Sequence, residues 1–244
     1  MIDTHLHVSH LDAPQRAWQC AKQAGVSDWF AMANDPQSWR DLLALQNDIP
    51  FQLGLGLHPL CAHAGQNEDL QQLAGIVSSA KLIGECGLDA GPTAPPLPLQ
   101  IEALRFQIEL AQTQQVPLSL HSYRAVDTLL KQLRLGGANS GVFHGFIGSE
   151  QQANAVIEQG FLIGVGGAIT YPRAQRLRRV IVALPLENLV METDAPYQPL
   201  MGFQGEANRP ERLKIIANTI AELKQIDIED VIKITTDNAR ELIA

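Results

Sequence analysis

Short apolar runs alternate along the chain with longer stretches in which apolar residues recur every three or four positions. The first run, Met1 to Val8, holds Ile-Asp-Thr-His-Leu-His between apolar ends. Period-two alternation along a strand puts His5 and His7 on one face and turns Leu6 to the other. A helix is predicted over 14–24, opened by Pro14 and stopped at Gly25. Trp29 to Ala33 reads as the next strand, Asn34-Asp35-Pro36 as a turn and cap, and 38–46 as a helix. Strand 51–57 leads to His58-Pro59, a helix covers 69–79, and strand 81–84 ends in Glu85. Residues 99–115 form a helix because Ile101, Leu104, Ile108 and Ala111 fall on one face.

The alternation continues to the end. Strand 117–120 ends in His121 and precedes a helix over 125–133; strand 141–143 ends in His144, and Ser149 caps a helix to Gln159. Strand 161–165 ends at Gly166-Gly167, a helix follows Pro172 to about Ala183, and strand 188–191 ends in Glu192-Thr193-Asp194. Helices over 210–223 and 228–243 close the chain. Strands alternating with helices predict a parallel sheet, and eight strands are the number that closes a (β/α)8 barrel of the TIM type. The open doubly wound alternative lacks its Gly-x-Gly-x-x-Gly after the first strand. At 244 residues, with no linker and one Pro-rich loop over 91–98, the chain 1–244 is expected to be a single domain.

Charge narrows the partners. With 18 basic against 26 acidic residues the net charge is near −8, which argues against holding nucleic acid on a broad basic surface. A phosphodiester substrate stays open, because bound divalent cations reverse the local field. Cys20, Cys61 and Cys86 show no paired spacing, so reduced, packed thiols are expected. No apolar run reaches the ~20 residues of a membrane helix, and no charged-then-apolar leader precedes the first strand. A cytoplasmic chain with no membrane contact is the expectation; no motif indicates a protein partner.

In such a barrel the working groups lie at the C-terminal strand ends. Those ends carry His5, His7, His58, Glu85, His121, His144 and Asp194, which include five of the seven histidines. Imidazoles and carboxylates converging with little positive charge describe a metal site with open positions. Zn, Mn, Co or Ni suit such ligands, and Mg a weaker site. Arg124 closely follows the fifth strand. His10 and His63 lie past the strand ends and read as solvated loop residues; Cys86 reads as a packed thiol. Tyr123 and Tyr171 serve either packing or stacking. Glu192, two before Asp194 on the same face, is a candidate partner behind a ligand.

The segments IDTHLH, GLHP, GECGLD, LHSYRA, FHGFIGS, GVGGAITYPRA and METDAP resemble the signature blocks of TatD-type metal-dependent hydrolases. The last two, with GFQGEANRP, resemble the YjjV-like branch. The resemblance implies an amidohydrolase-like barrel with two divalent cations: His5, His7 and Asp194 on one, His121 and His144 on the other, Glu85 bridging. Water between two cations becomes acidic near neutrality, and Asp194 is the candidate to orient it and take its proton. His58 and Arg124 are candidates for contacting substrate oxygens. The expected reaction is phosphodiester hydrolysis, as in a 3′–5′ exonuclease-like deoxyribonuclease acting on DNA or a small phosphodiester; an amide or lactone is the alternative substrate. One departure bears on substrate: loop Gly202–Glu206 carries no lysine where TatD nucleases often have a basic one.

Overall fold

The computed structural model describes residues 1–244. Eight strands pair in parallel and in chain order: β1 (Ile2–Leu6), β2 (Asp28–Ala33), β3 (Gln52–Leu55), β4 (Leu82–Asp89), β5 (Leu118–Tyr123), β6 (Gly141–Phe143), β7 (Phe161–Val165) and β8 (Leu189–Met191). Helices α1 (Pro14–Gln23), α2 (Pro36–Leu45), α3 (Asn67–Ile76), α4 (Leu97–Gln114), α5 (Val126–Gly136), α6 (Glu150–Glu158) and α7 (Gln175–Ala183) join successive strands. α8 (Leu213–Lys224) and α9 (Ile228–Leu242) complete the outer ring of this (β/α)8 barrel. Two predicted caps form as capping boxes: Asp35 accepts from the Ser38 N–H at 2.7 Å, and Ser149 from the Gln152 N–H at 3.2 Å.

The main core lies between the outside of the sheet and the helices, where Leu6, Trp29, Ala31, Leu53, Ile83, Cys86, Leu120, Phe143 and Met191 are buried. A smaller apolar cluster, Ile2, Phe30, Met32, Leu82, Val142 and Val190 with Ala239 of α9, fills the lower interior. Both β1 and β4 carry one residue more than the neighbour they pair with. Asp3 and Leu6 face Trp29 and Ala31, and Ile83 and Cys86 face Leu118 and Leu120. A one-residue bulge reverses which side chains point inward. Ile2 and Leu82 therefore point into the barrel below the bulges, and His5, His7 and Glu85 above them. Strand β4 continues to Asp89 instead of stopping at Glu85, so Glu85 is a mid-strand residue.

Closure of the barrel also builds the site. The Asp194 N–H donates to the His5 carbonyl at 2.9 Å and the His7 N–H to the Ala195 carbonyl at 2.8 Å, which seats Asp194 beside both histidines. Between β4 and β5 the chains approach so closely that a Cβ on Gly87 would stand 2.0 Å from the His121 carbonyl oxygen. With φ at +139°, Gly87 takes a conformation that L side chains avoid.

Candidate metal centre

Glu85 is the middle of the arrangement. Its Oε2 lies 3.4 Å from His5 Nε2 and 3.5 Å from His7 Nε2. Its Oε1 lies 2.7 Å from His144 Nε2, 3.1 Å from His121 Nδ1 and 3.2 Å from His58 Nε2. Asp194 Oδ1 is 3.2 Å from His7 Nε2 and 3.9 Å from His5 Nε2. The six groups expected to hold metal thus meet at one mouth, with His58 beside them. Arg124 is apart: it is exposed on the rim, 5.5 Å from the Tyr123 ring centre, and pairs with no carboxylate.

Each imidazole has an inner nitrogen facing Glu85, and in all but His144 the outer one is hydrogen-bonded to a neighbour. The outer Nδ1 of His7 faces the Met32 carbonyl at 3.3 Å, and the outer Nε2 of His121 faces Asp89 Oδ2 at 2.9 Å. Both partners accept, so the proton belongs outside and the inner lone pair is free for a cation. His5 Nδ1 meets Ser119 Oγ at 3.1 Å, and His144 Nδ1 lies 3.7 Å from Glu192 Oε1. His58 is reversed: its outer Nδ1 accepts from the Leu60 N–H at 3.1 Å, so the proton sits on the inner Nε2. Distance alone groups His58 with Glu85 and His121 as possible ligands; the tautomer makes it a donor instead.

Charge follows geometry. Burial alone would raise the Glu85 carboxyl, but the surrounding imidazoles hold it well below its ordinary range. Asp194 is likewise lowered, against its burial, by the His7 ring beside it and by the charges of His5 and His144. Burial opposes the charged form of His144, and Glu85 and Glu192 overcome it, raising that ring well above its ordinary value. His7 is raised against burial by Asp194 and Glu85. In His5 burial prevails, helped by the charge of His144, and the ring is lowered. A cation fits this donor set. His5 Nε2 and Asp194 Oδ1 are buried and hydrogen-bond to nothing, although unpaired buried polar atoms are costly. His5, His7 and Asp194 offer three ligand atoms within 4.8 Å of one another, as do His5, Glu85 and His144.

The model of the TatD related DNase family matches residues 2–244. This chain belongs to the TatD family of metal-dependent hydrolases. It is 38% identical to the uncharacterized metal-dependent hydrolase YjjV of Escherichia coli K12, over 99% of this chain and 96% of that protein. An uncharacterized metal-dependent hydrolase of Haemophilus influenzae is 34% identical over 100% of this chain and 99% of its own length. The crystal structure of E. coli YjjV superposes with a TM-score of 0.93 at 37% identity, covering 100% of this chain and 97% of that one.

Within this TatD-family site the sequence reading missed several residues. Asp89 holds the outer nitrogen of His121, and its place two and four residues along the inward face from Gly87 and Glu85 was a usable period-two signal. Asp3 had no such signal, because it precedes the bulge. It is buried and accepts from the Thr193 N–H at 2.9 Å while Thr193 Oγ1 stands 2.5 Å from its Oδ2, which fixes the turn into Asp194. Gln198 donates to Asp194 Oδ2 at 2.7 Å. Glu192 does stand behind His144, and its Oε1 also accepts the Gly145 N–H. His10 is exposed as expected yet has partners: Tyr197 Oη at 2.9 Å and the His7 ring at 5.4 Å. His63 is a surface residue paired with Asp69 at 2.8 Å, and Cys86 is a packed thiol. No helix is long and apolar enough to cross a membrane.

Proposed function

We propose that the chain hydrolyses phosphodiester bonds with two divalent cations, its substrate being DNA or a smaller phosphodiester. The supporting observation is the division around Glu85, whose two oxygens each face a separate group of imidazoles. On this reading His5, His7 and Asp194 hold one cation, His121 and His144 the other, and Glu85 touches both. Zn, Mn, Co, Ni or Mg are the candidates by ligand type. Divalent cations in such a pair polarise a phosphoryl oxygen and make water acidic near neutrality.

The chain's own groups supply the rest. Gln198 fixes the Asp194 carboxylate through Oδ2, and Asp194, beside its part in holding a cation, is the group that orients the attacking water and takes its proton. His58 turns its Nε2–H into the mouth, since Leu60 occupies its other nitrogen, and a substrate oxygen would share that donor with Glu85 Oε1, 3.2 Å away. Arg124, unpaired on the rim, offers a planar fork of donors to a phosphate. The TatD related DNase description of the family supports the same bond type.

The test is the metal-loaded protein on thymidine 5′-(p-nitrophenyl) phosphate and single-stranded DNA, beside cyclic amides and lactones. Hydrolysis of both phosphodiesters, abolished in His121→Ala, supports the proposal. Turnover of an amide or lactone alone overturns it, and a fully active His121→Ala assigns the nuclease activity to a contaminant.

A further inference from the structure

Helix α7 has a charge pattern unlike the rest of this acidic protein. Arg173 precedes it, Arg176, Arg178 and Arg179 lie within it, and no Asp or Glu occurs between Glu158 and Glu187. None of the four arginines has a carboxylate within 4.0 Å. On α9, by contrast, Lys233 and Arg240 share Asp237 at 3.0 and 3.4 Å. Mixed, paired charge is what a merely solvated face carries. Arg173, Arg176 and Arg179 are exposed and Arg178 half-buried, so a positive strip is left without a counter-charge.

The strip starts at the catalytic mouth. Strand β7, which leads into it, touches the site: a Cβ on Gly164 would meet Glu192 Oε2 at 2.4 Å and the His144 backbone at 2.9 Å. Arg173 stacks 5.1 Å from the Tyr171 ring centre, and the Tyr171 hydroxyl donates to the Pro199 carbonyl at 2.6 Å, in the loop that follows Asp194. From there the strip runs down α7 beside an open groove of about 610 Å³ lined by Pro172, Gln175, Arg178, Arg179, Val182 and Leu223. Residues three apart on a helix stand ~5–6 Å apart at Cβ, so Arg176 and Arg179 can serve neighbouring phosphates on their flexible stems.

We infer that Arg173, Arg176, Arg178 and Arg179 form a phosphate track that carries a polynucleotide strand away from the mouth. This rests on the phosphodiester reading above and adds to it that the substrate is a polymer held outside the metal centre. The strip's net positive charge fits a polyanion, and its exposed face has a single large apolar residue, Val182. That leaves little to bury in a lipid surface, which binds helices through a wide apolar face.

The experiment compares wild type with R176Q/R179Q, both positions being exposed, and checks their thermal unfolding. Binding of fluorescein-labelled dT20 and dT4 is followed by anisotropy in EDTA across a salt series, so that no turnover intervenes. Each lost phosphate contact on a single strand lowers the log–log salt slope by about 0.7. The double variant should therefore lose about 1.4 of slope with dT20 and none with dT4. R173Q, outside the helix, should lose about 0.7 alone. With metal restored, the KM for dT20 rises while kcat and the turnover of the nitrophenyl ester stay at wild-type values. An unchanged dT20 slope overturns the track. So does a variant defect confined to vesicles of phosphatidylcholine and phosphatidylglycerol. Altered dT20 binding without phosphodiesterase activity in wild type would keep the track and sink the proposed reaction.

Discussion

The two ends of the barrel interior are built from the same strands and hold together in opposite ways. At the N-terminal end Ile2, Phe30, Met32, Leu82, Val142 and Val190 fill the space, and Ala239 closes it with Leu242 and Ile243 alongside. At the C-terminal end His5, Glu85, His144 and Asp194 are buried just as deeply but meet mainly one another. The lower end gains from apolar surface removed from water. The upper end carries desolvated charges whose burial costs nearly what their attraction returns. The bulges in β1 and β4 mark where one regime gives way to the other. Stability is concentrated below and chemical tension above, an arrangement that leaves the mouth poised to accept cations without loosening the fold.

The comparison breaks most visibly if the two ends can be damaged separately. Glu85→Ala removes the only group that faces both sets of imidazoles. Activity should fall well beyond the ~10–100-fold typical of losing a partner behind a metal ligand, and bound metal, measured by elemental analysis, should fall with it. Phe30→Ala should do the reverse. A buried aromatic truncated to Ala costs ~3–5 kcal/mol, readable in urea unfolding, while metal content and low-temperature activity stay near wild type. Metal loss in Phe30→Ala would mean that the ends are one cooperative unit.

Much of this division is legible in the sequence, and its limits are instructive. Strand and helix order follow from periodicity, and His7, His58, His144 and Asp194 follow strand ends because apolar runs stop there, whereas His5 lies within β1 and β5 runs on past His121 to Tyr123. Glu85 was found for a reason that is only half right. Simple alternation from Leu82 and Gly84 would turn it outward, and the extra residue in β4 brings it in. Asp3 was missed for the matching reason in β1. A bulge is a decision between backbones, and no side-chain pattern within one strand announces it. The tautomer of His58 was equally hidden, because it depends on the Leu60 N–H two residues on.

Asp3 offers a sharper test, since it joins the ends. Free aspartate ionises near 3.8; burial pushes Asp3 up to about 8, against the hydrogen bonds from Thr193 and His5. Between those values the folded protein binds a proton that the unfolded chain has released. Stability must therefore fall as pH rises from about 4 to about 8, by at most about 1.4 kcal/mol per pH unit from this group. Asp3→Asn keeps an acceptor for the Thr193 N–H and cannot ionise, so its metal-free stability should depend less on pH. The raised His7 and His144 also lose stability as pH rises, but equally in both proteins, and cancel in the difference. Urea unfolding in chelator at pH 5 and 7.5 gives that difference, and equal slopes would place the Asp3 proton elsewhere.

The smallest effect is expected where the upper end meets solvent. The Tyr197 ring stands edge-on to His7 with ring centres 5.4 Å apart, its hydroxyl hydrogen-bonds His10 at 2.9 Å, and His10 lies over His7 at an interplanar angle of 17°. Tyr197→Phe keeps the ring and deletes the hydroxyl. Because His10 is exposed and Tyr197 is 48% exposed, water replaces the lost partner, and the cost should sit at the low end of ~0.5–1.5 kcal/mol. The acceptor that aligns His7 is the Met32 carbonyl, which the substitution leaves in place. Metal affinity, measured by competition with a chromophoric chelator, should therefore be unchanged. A tenfold fall would show that the exposed pair orients His7, and that the upper end reaches past its buried groups into the loops around them.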